Sequence, residues 1–272
     1  MTDSSDVLTR EFADIGVTLA GHVATVEIQR PPHNFFDYLL IEQLADAFEG
    51  LDEIDDCRAI VLAADGKNFC AGANFGSGDD DGDDDFSANG FRTITQKLYR
   101  AGVRLFRTRK PSVAAIQGSA VGGGLGVALV SDFRVCSADT RFAANFAKLG
   151  IHPGFGLTVT LPRLVGEQQA ARMFYTGRRV KGDEAVAIGL ADVLVNTDEI
   201  RSGAAALASE IAETAPLALY SVRATMRTGL ADRIQQQTEH ELKEQQWLRA
   251  TEDAAEGIKS VSERRPGSFV GR

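Results

Sequence analysis

A run of three glycines marks the stretch of this sequence that is the strongest candidate for a functional site. GSAVGGGLGVALVSD, residues 118–132, carries no charged side chain before its last residue, Asp132. It lacks the Gly-Lys-Ser/Thr of a phosphate-binding loop and the Gly-x-Ser-x-Gly of a serine nucleophile. An apolar helical pattern follows the glycines, and the first N–H groups of a helix are free and partly positive. The stretch therefore predicts an anion hole built from backbone.

A second turn of small residues follows an earlier apolar segment. Residues 58–63 have the pattern of a buried strand, and ADGKNFCAGAN, residues 64–74, follows it. Two N–H groups that converge on one oxygen form an oxyanion hole, in which losing one donor costs on the order of 10²–10³ in rate. The alternative is that both turns only connect strands to helices.

The periodicity of the chain predicts the elements that carry these turns. Residues 15–19 and 23–28 predict a β-hairpin. Strand patterns at 58–63, 112–116 and 133–137 alternate with helical patterns at 39–51 and 89–108, which favours a largely parallel sheet covered by helices. Beyond Pro153 we expect one short strand at 191–195 and helices at about 157–174, 182–188, 198–213, 215–229, 231–249 and 251–262.

Composition excludes several classes of function. The 272 residues carry a net charge of −9, which argues against nucleic acid as a partner. Six of the acidic residues lie between Asp79 and Asp85, where a solvated surface loop is expected; the glutamate that an EF-hand needs at its twelfth position is missing. No apolar run reaches the roughly 18 residues of a membrane span, and the polar N-terminus does not resemble a signal peptide.

The three cysteines point to a reducing compartment. Cys57, Cys70 and Cys136 have neither the spacing of paired cysteines nor that of metal ligands with the four histidines. We therefore expect a cytoplasmic protein without a metal site.

Six segments of the chain resemble the crotonase superfamily, the enoyl-CoA hydratases and isomerases. They cover nearly the whole sequence: RPPHNFF (30–36), KNFCAGAN (67–74), QGSAVGGGLGVALVSDFRVCSADTRFA (117–143), LGIHPGFGLTVTLPRLVG (149–166), TGRRVKGDEAVAIGLADVLV (176–195) and TEDAAEGIKSVSERRPGSF (251–269). The resemblance implies an α/β crotonase (ClpP-like) fold of repeated ββα units with a helical C-terminal trimerisation region. Residues 1–200 would form the core with the acyl-CoA site and 201–272 the oligomerisation region of a homotrimer or a hexamer, a dimer of trimers.

The resemblance also implies a site. Family members hold the thioester oxygen of an acyl-CoA against two backbone amides, which here belong to Ala73 and Gly123. Coenzyme A is part of the substrate, so no separate cofactor is expected. The positions implied to contact substrate are His33, Phe35, Ala71, Asn74, Phe75, Val121, Gly122, Gly126, Phe146, Pro153 and Gly154.

The acid–base positions of the family are where this chain departs from it. The two glutamates of the hydratases correspond to Gly126 and Phe146, and a catalytic aspartate of other members corresponds to Gly154. Glycine and phenylalanine cannot transfer a proton. His152 is the group of this segment that titrates near neutrality, and it is either a candidate acid or base or a residue packed under the loop. Tyr99 could reach the acyl pocket, although its helical setting favours a solvated or core-edge position.

Because these acid–base residues are missing, we expect a reaction other than two-glutamate hydration. We expect an acyl-CoA enzyme that stabilises an enolate or oxyanion and acts as an isomerase, hydrolase or decarboxylase. The alternatives are a catalytically silent acyl-CoA-binding subunit and an enoyl-CoA hydratase whose catalytic residues are displaced.

Overall fold

A computed structural model describes residues 6–74 and 88–272. The expectations for Phe75 and for the acidic segment 79–85 lie outside the described residues. The strands are β1 (Ile15–Ala20), β2 (Val23–Ile28), β3 (Ala59–Ala64), β4 (Ser112–Ile116), β5 (Ser119–Val121), β6 (Phe133–Ser137), β7 (Arg141–Ala143), β8 (Arg179–Lys181) and β9 (Val193–Val195). The helices are α1 (Asp6–Thr9), α2 (Tyr38–Asp52), α3 (Ala88–Arg107), α4 (Gly123–Ala128), α5 (Leu157–Thr176), α6 (Gly182–Ala187), α7 (Ile200–Ala212), α8 (Pro216–Met226), α9 (Leu230–Leu248) and α10 (Glu252–Ser262). Short 3₁₀ turns cover Phe146–Leu149 and Thr197–Glu199.

Six strands form the main sheet, in the order β1-β2-β3-β4-β6-β9. The β1–β2 hairpin is antiparallel and the other neighbours are parallel. Every residue of β3 and β4 is buried, because helices cover both faces of the central strands. On one face α7 packs against Val61, Val113 and Val135, while the larger core lies on the other face. This is the layered arrangement that a parallel sheet requires.

A second sheet of three short strands positions the glycine turn. Its order is β5-β7-β8, and β5 lies between β4 and α4 along the chain. An isolated parallel bridge joins Cys70 to Ala120 of β5. The two glycine-containing turns are therefore held side by side by backbone pairing.

The C-terminal helices pack over the end of the core at which the two glycine-containing turns lie. Helix α9 contacts α3 and α5, and α10 contacts the 3₁₀ turn at 146–149. Helix α8 is fastened to the sheet through the buried carboxylate of Asp132, which accepts hydrogen bonds from Arg223 and Arg227. Part of the helical region thus contributes directly to the cavity described below.

The α/β architecture and the helical C-terminal region agree with the expected crotonase fold, and one detail differs. The sequence predicts one short strand beyond Pro153, but the structure has two, β8 and β9. Strands β5 and β7 were also not predicted. All three missed strands have three residues, which is too short for an alternating pattern to show. Among the described residues, no helix is long and apolar enough to cross a membrane.

Candidate active site

A cavity of about 540 Å³ lies where the two glycine-containing turns meet. Its wall is formed by the turns, by α3, by the loop 145–155 and by α9 and α10. Most of the sequence-predicted positions line it: His33, Phe35, Ala71, Ala73, Asn74, Val121, Gly122, Gly123, Phe146 and Gly154. Gly126, His152 and Pro153 are not among the described residues of its wall.

The loop 33–36 fixes the first turn by backbone hydrogen bonds. The N–H of Ala71 donates to His33 O at 3.0 Å, and the N–H of Phe36 donates to Gly72 O at 3.1 Å. Gly72 has a φ of +88°, a conformation that favours glycine. Because Gly72 O faces Phe36, the N–H of Ala73 on the same trans peptide points the opposite way. No described residue accepts a hydrogen bond from that N–H.

In the second turn, the orientation of a carbonyl likewise fixes the direction of the amide N–H on the same peptide. Gly122 O accepts from the N–H groups of Leu125 and Gly126 at 3.1 and 3.3 Å, so this carbonyl points into the first turn of α4. The N–H of Gly123 on that peptide therefore points away from the helix. It also has no acceptor among the described residues. The φ of Gly122 is +56°, which again calls for glycine.

The two free amides lie close together. Backbone bonds from Cys70 to Ser119 and from Val121 to Cys70, both 3.1 Å, tie the turns to each other. A Cβ at residue 72 would lie 3.9 Å from Gly123 N and 2.8 Å from Val121 O. Both amides therefore border the same cavity, as an oxyanion hole requires.

Two of the three positions that the sequence resemblance implies for acid–base residues, 126 and 154, are closed by neighbouring side chains. A Cβ at residue 126 would lie 2.8 Å from Phe155 Cδ1, and a Cβ at residue 154 would lie 2.1 Å from Tyr99 Oη. Phe146 is buried in the cavity wall. Of the residues in 6–74 and 88–272 that form this wall, none carries a carboxylate.

Two histidines have clearly different surroundings. His33 lies in the cavity wall, where its Nδ1 accepts from Asn68 Nδ2 at 2.8 Å. His152 Nδ1 donates to Pro153 O at 2.8 Å, and its ring packs edge-on against His240 with centroids 5.9 Å apart. The structure thus brings His33 to the two amides but does not bring His152 there.

Cys70 lies beneath the glycine turn, in a fully buried position. A Cβ at residue 124 would come within 2.8 Å of its Sγ. Burial raises the pKa of the Cys70 thiol to about 12, so the thiol stays protonated and is a poor nucleophile.

Several residues of the wall have no counterpart among the predicted site residues. Gln245 and Arg249 come from the end of α9, and Ile258, Val261 and Ser262 come from α10. Tyr99 is 8% exposed and lines the cavity, so of the two positions favoured from sequence, solvated or core-edge, the structure excludes the solvated one. The available signal was the helical register: Gln245 lies on the same face of α9 as the buried Glu241 and Leu242.

One end of the cavity is basic. A second cavity of about 820 Å³ shares Val121, Asn145, Arg179 and Val261 with the first. It adds Lys148, Arg264 and Arg265, of which Arg265 forms ion pairs with Glu256 and Glu263. This end of the site is suited to anionic or polar groups.

Comparison with known proteins gives a consistent result. A family described as enoyl-CoA hydratase/isomerase matches residues 18–272. The carnitinyl-CoA dehydratase of Proteus mirabilis is 32% identical over 263 residues, which cover 94% of this chain and 98% of that protein. Among solved structures, an enoyl-CoA hydratase/isomerase from Pseudoalteromonas atlantica has a TM-score of 0.82 at 25% identity, with 94% of this chain and 100% of that chain covered. Pseudomonas aeruginosa DspI has a TM-score of 0.71 at 31% identity, with 96% and 98% covered.

Proposed function

Because this chain belongs to the enoyl-CoA hydratase/isomerase family, we propose that it is an enzyme that binds an acyl-CoA and holds the thioester oxygen against the amides of Ala73 and Gly123. One observation carries the proposal: both N–H groups border one cavity, and neither has an acceptor among the described residues. Preorganised donors of this kind stabilise the negative charge that develops on the oxygen of an enolate or a tetrahedral intermediate.

The proposed chemistry does not use the two glutamates of the hydratases. Gly126 and Phe146 stand at those positions, and the described wall holds histidine, tyrosine and arginine but no carboxylate. Isomerisation, thioester or carbon–carbon hydrolysis, and decarboxylation all proceed through an oxyanion or enolate that two amides can stabilise. We therefore favour chemistry of this type.

A second candidate is dehydration of a hydroxyacyl-CoA, with its acid–base groups at other positions. The name and 32% identity of the Proteus protein, a carnitinyl-CoA dehydratase, support it. Such an enzyme also needs an oxyanion hole, so the same two amides serve both candidates.

We also propose that the protein assembles as a homotrimer or as a dimer of trimers. Helix α8 supports this by exposing Leu217, Val222 and Met226, whose exposed fractions are 82%, 57% and 71%. Val222 and Met226 lie four residues apart and share one face of the helix, and exposed apolar side chains on one face are typical of interaction surfaces. Light scattering of the purified protein measures the subunit number, and a monomer at micromolar concentration would contradict the assembly.

The enzymatic proposal is tested with a panel of 2-enoyl-, 3-enoyl-, 3-hydroxyacyl-, 3-ketoacyl- and malonyl-type CoA esters. The informative variant is Ala73→Pro, because proline removes the amide hydrogen while keeping a Cβ. Residue 73 is exposed and its N–H has no partner to lose in the described fold. Ala73→Gly is the matched control, because it keeps the N–H.

We expect one ester class to be turned over and Ala73→Pro to lower its kcat/KM by about 10²–10³, as for other oxyanion-hole donors. Ala73→Gly should retain most of the activity. Thermal stabilisation by the esters without any turnover would show a silent binding subunit. Unchanged turnover in Ala73→Pro would overturn the role of this amide.

A further inference from the structure

Tyr99 and Gln245 form a hydrogen-bonded pair in the cavity wall. Tyr99 lies on α3 and Gln245 on α9, and Tyr99 Oη is 2.9 Å from Gln245 Oε1. Both side chains are almost fully buried, with exposed fractions of 8% and 7%, and both line the cavity that the two amides border. They are therefore polar groups presented to whatever occupies that cavity.

The backbone of the neighbouring loop fixes the orientation of the Gln245 amide. Gln245 Nε2 donates to His152 O at 2.9 Å. A carbonyl oxygen only accepts hydrogen bonds, so Nε2 must face it and Oε1 must face Tyr99. Tyr99 is then the donor in the pair. The second hydrogen of Gln245 Nε2 has no acceptor among the described residues.

Burial keeps Tyr99 in its protonated, donating form. Removal from water raises the pKa of the phenol strongly, and the nearby carboxylate of Glu241 raises it further. Tyr99 therefore holds the Gln245 amide in one orientation throughout the neutral pH range.

Gly154 makes the room that the pair needs. A Cβ there would lie 2.1 Å from Tyr99 Oη and 2.7 Å from Gln245 Nε2, closer than any real contact. The φ of Gly154 is not positive, so close approach rather than backbone conformation requires this glycine. The pair thus occupies the space that any side chain at residue 154 would fill.

The wall that contains the pair also contains apolar side chains, among them Phe91, Leu98, Ile151 and Phe155. A buried N–H without an acceptor costs about 1–3 kcal/mol. An unsubstituted alkyl or alkenyl chain has no acceptor for this N–H, whereas a hydroxyl or carbonyl oxygen accepts a hydrogen bond from it. A site built in this way discriminates against ligands that lack the oxygen.

Resting on the proposed function, we propose that Gln245, oriented by Tyr99, binds an oxygen substituent of the acyl group. The preferred substrate class is then an acyl-CoA with a hydroxyl or carbonyl oxygen on its acyl chain. Gln245 is a specificity-determining residue that contacts the substrate, and Tyr99 is its positioning residue.

The test compares two esters that differ by one oxygen, 3-hydroxybutyryl-CoA and butyryl-CoA. Their Kd values are measured by titration calorimetry for the wild type, Gln245→Met and Tyr99→Phe; if an ester is consumed, its KM replaces the Kd. We expect the wild type to prefer the hydroxy ester about tenfold, the worth of one buried hydrogen bond. Gln245→Met should reduce the preference to about twofold or less, and Tyr99→Phe should reduce it in part.

Two control variants separate this role from general effects on stability. Gln235→Met changes a glutamine on the same helix that accepts from Arg107 at the surface. Tyr38→Phe removes a phenol that donates to Glu42, and neither residue lines the cavity. Both should keep the wild-type preference.

Equal binding of the two esters by the wild type, or an unchanged preference in Gln245→Met, would overturn this inference and leave the proposed function standing. Failure of the wild type to bind either ester would overturn the proposed function itself. The two failures are thus distinguishable. Tyr99→Phe keeps the buried ring, so it provides a folded variant if Gln245→Met is unstable.

Discussion

The ring of Phe36 occupies the place that a side chain at residue 123 would need. A Cβ on Gly123 would lie 2.1 Å from Phe36 Cζ and 2.2 Å from Cε1. The backbone N–H of Phe36 also donates to Gly72 O, the bond that turns the amide of Ala73. One residue therefore contacts both turns of the proposed oxyanion hole.

We expect Gly123→Ala to destabilise the protein by about 1–3 kcal/mol, the usual cost of overpacking a core. Phe36→Leu should relieve part of this cost, so the double variant will be more stable than the sum of the single changes predicts. Denaturant unfolding of the four proteins gives the coupling energy. Gly203→Ala is the control, because its nearest neighbour would be a Val135 methyl at 3.2 Å. Strict additivity would contradict the contact.

Elements with a long or regular pattern were predicted closely from sequence. The strands at 112–116 and 133–137 have the bounds expected, and the helix expected at 251–262 is Glu252–Ser262. A continuous apolar run bounded by turn residues predicts such strands, and helical spacing of apolar residues predicts such a helix. The strands β5, β7 and β8 were missed because three residues are too few to show a strand pattern.

The site was predicted where it consists of backbone and missed where it depends on packing. Gly72 and Gly122 have a positive φ, and Gly123 has no room for a Cβ; both are needs that a glycine in the sequence can indicate. The helical register places Gln245 on the buried face of α9, but only the packing of α9 against α3 and the loop at 152 brings that face to the cavity. For the same reason His152 faces His240 instead of the cavity.

A glutamate introduced at residue 126 or 146, the two positions that the resemblance assigns to the hydratase glutamates, should not create a hydratase. In Gly126→Glu the new side chain would meet Phe155, whose Cδ1 would lie 2.8 Å from the Cβ. Phe146→Glu has space but places a carboxyl in an apolar wall, which raises its pKa. We expect Gly126→Glu to lower the melting temperature and neither variant to gain crotonyl-CoA hydration. Phe146→Leu is the control for lost ring volume. Efficient hydration by either glutamate variant would show that the other position is not needed.

Asp132 links α8 to the sheet rather than serving the site. Its carboxylate accepts from Ser112 N at 2.9 Å and from Arg223 and Arg227 at 2.8 Å each. Burial acts to raise its pKa, but the two guanidinium groups outweigh burial and the pKa is lowered. Removing one partner of a buried ion pair costs about 3–5 kcal/mol.

Asp132→Asn should therefore lower the free energy of unfolding by about that amount, measured in denaturant, while the remaining folded protein keeps its Kd for acyl-CoA. The control is Asp198→Asn, at an exposed carboxylate, which should change stability little. A large loss of acyl-CoA affinity without loss of stability would instead give Asp132 a role in the site.

The last prediction concerns Glu241, a fully buried carboxyl on α9 that lies against the first turn of α5. It accepts from Gly156 N at 2.8 Å, from Thr158 N at 3.3 Å and from Thr158 Oγ1 at 2.6 Å. Burial raises its pKa to about 7, against the lowering effect of these hydrogen bonds. Between pH 4.5, the ordinary pKa of a glutamate, and pH 7, the folded protein keeps a proton that the unfolded chain has lost. Stability from this group is therefore present below pH 4.5 and falls as pH rises to 7, by up to about 1.4 kcal/mol per pH unit.

Glu241→Gln should flatten this slope, because an amide does not titrate. Unfolding free energies measured from pH 4.5 to 7.5 for the wild type and the variant give the difference in slope. Glu239→Gln, at an exposed position of the same helix, should keep the wild-type slope. The same slope in Glu241→Gln as in the wild type would mean that Glu241 is ionised throughout this range. Its three hydrogen bonds would then outweigh burial.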